Sequence, residues 1–148
     1  MNFFEVTKNK KRYLDLLLLG DEQEDMVDRY LERGTMFVMT DGETPVGVCV
    51  VTEEEESLLE VKNLAVAPAY QKQGNGRKIL ELVTEWFRGR YKTIQLGTGD
   101  SPLTVPFYEK CGFVRSHIIE NFFTDHYDHP IIEAGVQLRH MVYLKKEI

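Results

Sequence analysis

One segment, Gln71-Lys72-Gln73-Gly74-Asn75-Gly76, constrains this chain more than any other, because it joins an apolar run to an amphipathic helix across a glycine-rich turn. Upstream, Asn63-Leu64-Ala65-Val66-Ala67-Pro68 has the pattern of a buried strand ending at a proline. Downstream, Ile79, Leu80, Leu82, Val83, Trp86 and Phe87 recur at the spacing of a core-facing helical stripe. A helix N-terminus behind such a turn presents unpaired backbone N–H groups and the positive end of the helix dipole, a combination that binds anions, phosphates above all. Glycine lets the backbone approach closely and adopt φ > 0. The segment is therefore a phosphate cradle within an α/β layout.

Two common cradles are excluded by the residues present. The Walker pattern ends in Gly-Lys-Ser/Thr, whereas Gly76 is followed by Arg77, Lys78 and Ile79. The dinucleotide fingerprint G-x-G-x-x-G requires a third glycine where Ile79 stands. What remains is Gln-x-x-Gly-x-Gly, preceded by Leu64-Ala65-Val66-Ala67-Pro68. It is followed about thirty residues later by Val105-Pro106-Phe107-Tyr108-Glu109-Lys110-Cys111-Gly112-Phe113. These elements, in this order and with the strand-like Thr93-Ile94-Gln95-Leu96 between them, resemble the GNAT superfamily of N-acetyltransferases. The second run is similar to that family's Phe-Tyr-x-Lys-x-Gly-Phe signature. The resemblance covers residues 35–115 well and the two ends only in general layout.

The resemblance implies a mixed, mostly antiparallel central sheet flanked by helices, an α/β (α+β) fold in one domain over residues 1–148. It implies acetyl-CoA as cosubstrate, its pyrophosphate held by the turn Gln71, Lys72, Gln73, Gly74, Asn75, Gly76 and Arg77. The backbone of Leu64, Ala65 and Val66, where the fourth strand splays from the fifth, is expected to pair with the pantetheine arm. The family's fifth strand commonly ends near an asparagine that contacts the cofactor. Here Gly97-Thr98-Gly99-Asp100-Ser101 occupies that place, and either Thr98 or Ser101 would supply the hydrogen bond. The implied activity is transfer of the acetyl group to a primary amine of a small molecule or peptide, by direct attack in a ternary complex. The competing expectation is a catalytically inactive CoA-binding or regulatory module on the same scaffold, because fold does not guarantee chemistry.

Acyl transfer to an amine needs a neutral amine, a polarised carbonyl and a proton for the departing thiolate. Tyr108 is the candidate acid: a phenol titrates near 10 and a thiol near 8.5, so at neutral pH the phenol keeps a proton to donate. Glu60, on the strand leading to the cradle, is the candidate base acting through a water; against it stands a solvated glutamate at a strand end. Tyr108 distinguishes the enzyme from the inactive module.

Composition agrees with an ordinary soluble protein: 148 residues, 43% apolar and 28% charged. No run approaches the roughly 18 apolar residues of a membrane span. Met1-Asn2-Phe3-Phe4-Glu5 lacks the basic start of a signal peptide, and Cys49 and Cys111 are isolated thiols. The expected location is the cytoplasm. The net charge of −6 argues against nucleic acid as a partner and is compatible with a cationic amine, although Glu53-Glu54-Glu55-Glu56 looks like a solvated loop. Thr124 to Pro130 holds two His and two Asp without a matching ligand cluster elsewhere, so no metal is expected. The loop is instead a candidate border of the acceptor site. A homodimer is left open.

Local patterns complete the expected layout. Lys10–Leu19 forms a first helix. Asp21 with Glu24 makes a capping-box arrangement opening a second helix to Arg33. Strands span 36–39, 45–51, 57–66 and 93–96, a helix opening with Ser101 as N-cap covers 102–110, and Gly112 provides the positive-φ stop. Two last strands are expected over Phe113–Phe123 and Val136–Leu144.

Overall fold

A computed structural model describes residues 1–148. Its strands are β1 (Asn2–Val6), β2 (Thr35–Asp41), β3 (Thr44–Glu55), β4 (Leu58–Val66), β5 (Thr93–Gly99), β6 (Val114–Ile119), β7 (Ile132–Glu133), β8 (Val136–Gln137) and β9 (Met141–Glu147). Its helices are α1 (Leu14–Gly20), α2 (Glu24–Asp28), α3 (Asn75–Phe87), α4 (Thr104–Lys110) and α5 (Phe122–His126). Seven strands form one sheet in the order β1-β2-β3-β4-β5-β9-β6, while β7 and β8 make a separate hairpin. Every pairing in the large sheet is antiparallel except β4 with β5. The expected mixed, mostly antiparallel sheet flanked by helices is present.

The apolar runs of β2 and β3 are buried on both faces of the sheet, as central strands require. One face packs against α3 and α4 through Phe37, Leu59, Val61, Ile79, Val83 and Phe87. The other packs against α1 and α2 through Leu17, Val27, Leu31, Met36 and Val48. Trp86 continues the apolar stripe of α3 but remains 44% exposed, its ring edge-on to Phe37 at 5.0 Å. Phe3 of β1, a strand the sequence patterns do not predict, stacks on Phe37 at 5.2 Å.

The parallel pair is the break in the sheet. β4 and β5 pair from Leu58↔Thr93 to Val61↔Leu96 and no further. β4 carries a bulge there: Val51 faces Val61 while the next residue, Val50, faces Asn63, leaving Lys62 as the extra residue. A bulge bends its strand and increases its twist. Beyond it β4 stays with β3 and β5 stays with β9, so the two strands diverge into a wedge.

Four expectations are corrected. Residues 10–19 form a short 3₁₀ turn followed by α1, and the capping box at Asp21 does not form; α2 lacks any side-chain cap. Asp21 instead accepts hydrogen bonds from the Tyr30 hydroxyl at 3.1 Å and the Tyr127 hydroxyl at 2.6 Å. Ser101 is not the N-cap of α4, which starts at Thr104; its Oγ accepts from the Leu103 amide at 3.0 Å in a turn just ahead. The last two strands are shorter than their patterns: residues 122–126 form α5, and Val136 lies in the exposed hairpin while Val142 and Leu144 fill the core.

Gly112, at φ 96°, ends α4 as expected, with the Phe113 amide returning to the Tyr108 carbonyl at 3.1 Å. Phe37, fully buried and in contact with Phe3, Trp86 and Phe87, should be a stability determinant of the whole sheet. Phe37→Ala is expected to cost about 3–5 kcal/mol, read as a lowered urea midpoint at unchanged m-value.

Candidate active site

The turn between β4 and α3 has the construction of an anion cradle. Lys72 and Gly74 both adopt left-handed conformations, φ 61° and 83°, so the loop turns its amides outward before α3 begins. None of the amides from Lys72 to Arg77 donates to a backbone carbonyl, whereas Lys78 donates to Gly74 at 3.0 Å. Side-chain amides brace the loop from behind: Gln71 Nε2 donates to the Val66 carbonyl at 2.9 Å, Gln73 Nε2 to Ala69 at 3.2 Å and Asn75 Nδ2 to Tyr70 at 2.9 Å. A row of free N–H groups at the start of a 13-residue helix suits a phosphate or pyrophosphate. Arg77, exposed and 3.4 Å from Glu81, stands at the rim.

Beside the cradle lies a cavity of about 440 Å³ lined by Leu64, Val66, Tyr70, Gly74, Gly76 and Phe107, among others. A second cavity, of about 190 Å³, lies across the wedge and includes Asp21, Lys62, Asn63, Thr98, Tyr127 and Glu133 in its wall. Leu64, Thr104 and Tyr108 line both. These three residues form the seam where the two cavities meet.

Strand alternation decides which backbone groups face the wedge. The Ala67 amide donates to the Val46 carbonyl at 2.7 Å, which makes the pairs of that register alternate between bonded and non-bonded. Ala65 therefore directs its N–H and C=O to β3, while those of Leu64 and Val66 turn into the wedge. The Val66 carbonyl is held by Gln71. The Leu64 amide and carbonyl and the Val66 amide remain for an extended ligand.

Tyr108 sits on α4 with its ring edge-on to Phe107 at 5.1 Å and to Phe113 at 6.0 Å. Burial pushes its phenol well above the usual range, aided by the nearby Cys49, Cys111 and Glu133. The group stays protonated throughout the neutral range, and α4 presents it at the seam. Thr98 faces the second cavity, whereas Ser101 is 2% exposed with its oxygen engaged by the Leu103 amide. Neither of the two positions left open by the sequence lines the cavity beside the cradle.

Glu60 lies one layer behind the site, which corrects the expectation of a solvent-linked base. It is 4% exposed and lines neither cavity. Gln95 Nε2 donates to it at 2.6 Å, the Tyr143 hydroxyl at 3.4 Å, and Lys62 forms an ion pair with it. Lys62, itself in the cavity wall, is thereby held between Glu60 and Glu54.

Several residues of the second cavity carry no local sequence signal. Asn63 is 3% exposed and donates to the Leu17 carbonyl at 2.9 Å and the Tyr30 hydroxyl at 3.0 Å. Any Cβ on Gly20 would collide with its Oδ1, which explains the glycine. Desolvation raises the Asp21 carboxyl above the ordinary carboxylate range, opposed by its two tyrosine donors. Tyr127, just past the end of α5, reaches Asp21 across 106 positions of sequence and closes one side of the cavity. His117 and His140 are packing residues, one stacked on Tyr143 at 4.5 Å and the other accepting from the Asn121 amide at 3.0 Å.

The amide cradle thus opens onto a strand wedge and a second, acid-lined cavity. Residues 32–115 match the acetyltransferase (GNAT) domain. The chain is 39% identical over 132 residues to the uncharacterized N-acetyltransferase YvbK of Bacillus subtilis (strain 168), covering 88% of this chain and 85% of that one. Its fold is similar to that of a GNAT acetyltransferase from Elizabethkingia anophelis with acetyl-CoA bound, at TM-score 0.93 and 32% identity over 99% of this chain and 97% of the other. An IAA acetyltransferase from Bacillus cereus ATCC 14579 matches at TM-score 0.93 and 33% identity over 99% of both chains. A Bacillus subtilis acetyltransferase in complex with CoA matches at 0.89 and 35% over 99% of this chain and 98% of the other. The chain belongs to the GNAT family and is an acetyl-CoA-dependent acetyltransferase.

A Cβ at Gly76 would lie 3.3 Å from the Phe107 ring in the cofactor-side cavity. Gly76→Val is expected to weaken coenzyme A binding tenfold or more, about 1.4 kcal/mol, in titration calorimetry on the folded variant. Unchanged affinity would remove the turn from the cofactor site.

Proposed function

We propose that this protein transfers the acetyl group of acetyl-CoA to a primary amine of a small molecule or peptide by direct attack in a ternary complex. The observation that carries this reading is the seam: Leu64, Thr104 and the Tyr108 phenol belong to the walls of both cavities. A cofactor with its pyrophosphate on the amides of Lys72 to Arg77 and its pantetheine along Leu64 and Val66 would bring its thioester to that point. An amine in the second cavity would meet the thioester there without leaving the protein.

The residues divide the chemistry between them. The cradle and the wedge bind and orient the cofactor, worth more than any single contact because fixed geometry removes the entropy of encounter. Backbone N–H groups facing the wedge polarise the thioester carbonyl as charge develops on it. Tyr108 supplies the proton to the departing sulfur; the thiol is the stronger acid, so the transfer is drawn forward as the adduct nitrogen returns a proton to the phenolate. Glu60 is a positioning residue that fixes Lys62 in the cavity wall. The two free thiols, Cys49 and Cys111, suit a reducing cytoplasm, the location we assign.

Tyr108→Phe keeps the ring packing and deletes the donated proton. Turnover should fall by roughly 10² to 10⁴ with coenzyme A affinity little changed, measured by release of free coenzyme A. Full activity would assign the proton to water and leave the phenol without a role.

Glu60→Gln removes a buried charge that three side chains address. The expected result is a rate loss of similar size at every pH and a stability loss of about 1–3 kcal/mol. A loss confined to neutral pH would restore Glu60 as the base.

A further inference from the structure

Glu133 lines the second cavity, and one of its two carboxylate oxygens has no partner in the protein. Glu133 is at the end of β7, held in place by the tight turn through Ala134 and Gly135, which have φ 52° and 75°. Its Oε2 is buried and has no hydrogen-bond partner in the protein. Leaving a carboxylate buried and unpaired is costly, and such groups are retained where a ligand completes them.

The surrounding titratable groups do not complete it. Asp21 and Glu22 line the same cavity from the junction of α1 and α2, and both are acids. Tyr127 donates its hydroxyl to Asp21. Lys62 on β4 is the cavity's one basic residue, and it is drawn to Glu54 and Glu60. Tyr108 on α4 remains, close enough for the Glu133 charge to act on its phenol. Glu133 thus lines a cavity that lacks a free cation of its own and adjoins the place where acetyl transfer is proposed to occur.

We propose that Glu133 receives the acceptor's reacting ammonium group at the seam and takes its proton, which makes it the base of the reaction. The inference rests on the acetyl-transfer reading above. In the first step an N–H bond of the alkylammonium breaks and an O–H bond forms on Glu133, leaving a neutral amine beside the thioester. The amine lone pair then forms the C–N bond at the carbonyl carbon. When the tetrahedral adduct collapses, the C–S bond breaks and the thiolate takes the Tyr108 proton; the adduct nitrogen returns a proton to the phenolate. The products are the amide and free thiol, and the proton on Glu133 passes to solvent as the site opens. Recognition by one carboxylate in an acid-lined cavity selects cationic alkylamines over neutral or anionic acceptors.

The test uses the full-length protein with acetyl-CoA and a panel of n-butylamine, 1,4-diaminobutane, phenethylamine and a short peptide with a free N-terminus. The amine giving the fastest release of coenzyme A is then followed from pH 6 to pH 10. Glu133→Gln should lower kcat/KM by about a hundredfold at pH 7, within the usual range for a general base, and by only a few-fold at pH 10 where the amine is already neutral. Glu133→Asp should recover part of the loss. Coenzyme A affinity should be unchanged and the thermal midpoint equal or raised, because no partner is lost with the charge. A Glu133→Gln variant as active as the parent at pH 7, or one impaired equally at every pH, overturns the inference and leaves acetyl transfer standing. A parent protein that releases no coenzyme A with any amine overturns the acetyl-transfer reading, and the assignment of Glu133 with it.

Discussion

The separation of β4 from β5 beyond Val61 and Leu96 is the constraint on which the rest of the site depends. A continuous sheet would pair the edges of both strands and leave no backbone free. The extra residue at Lys62 bends β4 away, and each strand keeps its outer neighbour, so the wedge opens without unpairing the sheet elsewhere. Hydrogen-bonding groups of Leu64 and Val66 are thereby placed for an extended ligand. The cradle at the end of the same strand is set in line with them. One local irregularity thus opens the wedge and sets it in line with the cradle.

The second half of the site is organised by charge and by long-range hydrogen bonds. Asp21 joins α1 and α2 to the C-terminal loop through Tyr30 and Tyr127, closing a cavity between segments far apart in sequence. Asn63 ties that same junction to β4. The cavity lining is acidic, and its one lysine is directed to Glu54 and Glu60. Glu60 and Glu133 illustrate the difference that surroundings make: one carboxylate is saturated with donors, while the other retains a buried oxygen with none.

Much of the local structure around the turn was legible from local pattern. The Gln71–Gly76 turn, the apolar stripe of α3 and the glycine stop of α4 each follow from short-range rules about helix ends and backbone conformation, and each appears where the residues predict it. The capping box at Asp21 and the cap at Ser101 obey the same rules and yet fail. In both cases the side-chain oxygen found another partner, the tyrosine hydroxyls for Asp21 and the Leu103 amide for Ser101. Strand β1 escaped notice because only its last residue is buried, leaving little alternation to detect.

The sequence by itself determined the family's cradle, the order of strands and helices around it and the phenol at position 108, since these depend on residues within a few positions of one another. Tertiary structure alone decided that Ala65 turns its backbone to β3 while Leu64 and Val66 face the wedge, because that depends on register. It also decided that Glu60 is enclosed and that Glu133 lies unpaired in the same cavity as Asp21. Burial and pairing of a carboxylate are set by groups brought together from β4, β5, β9 and the β7–β8 hairpin. No local pattern in a chain records which of those groups will meet.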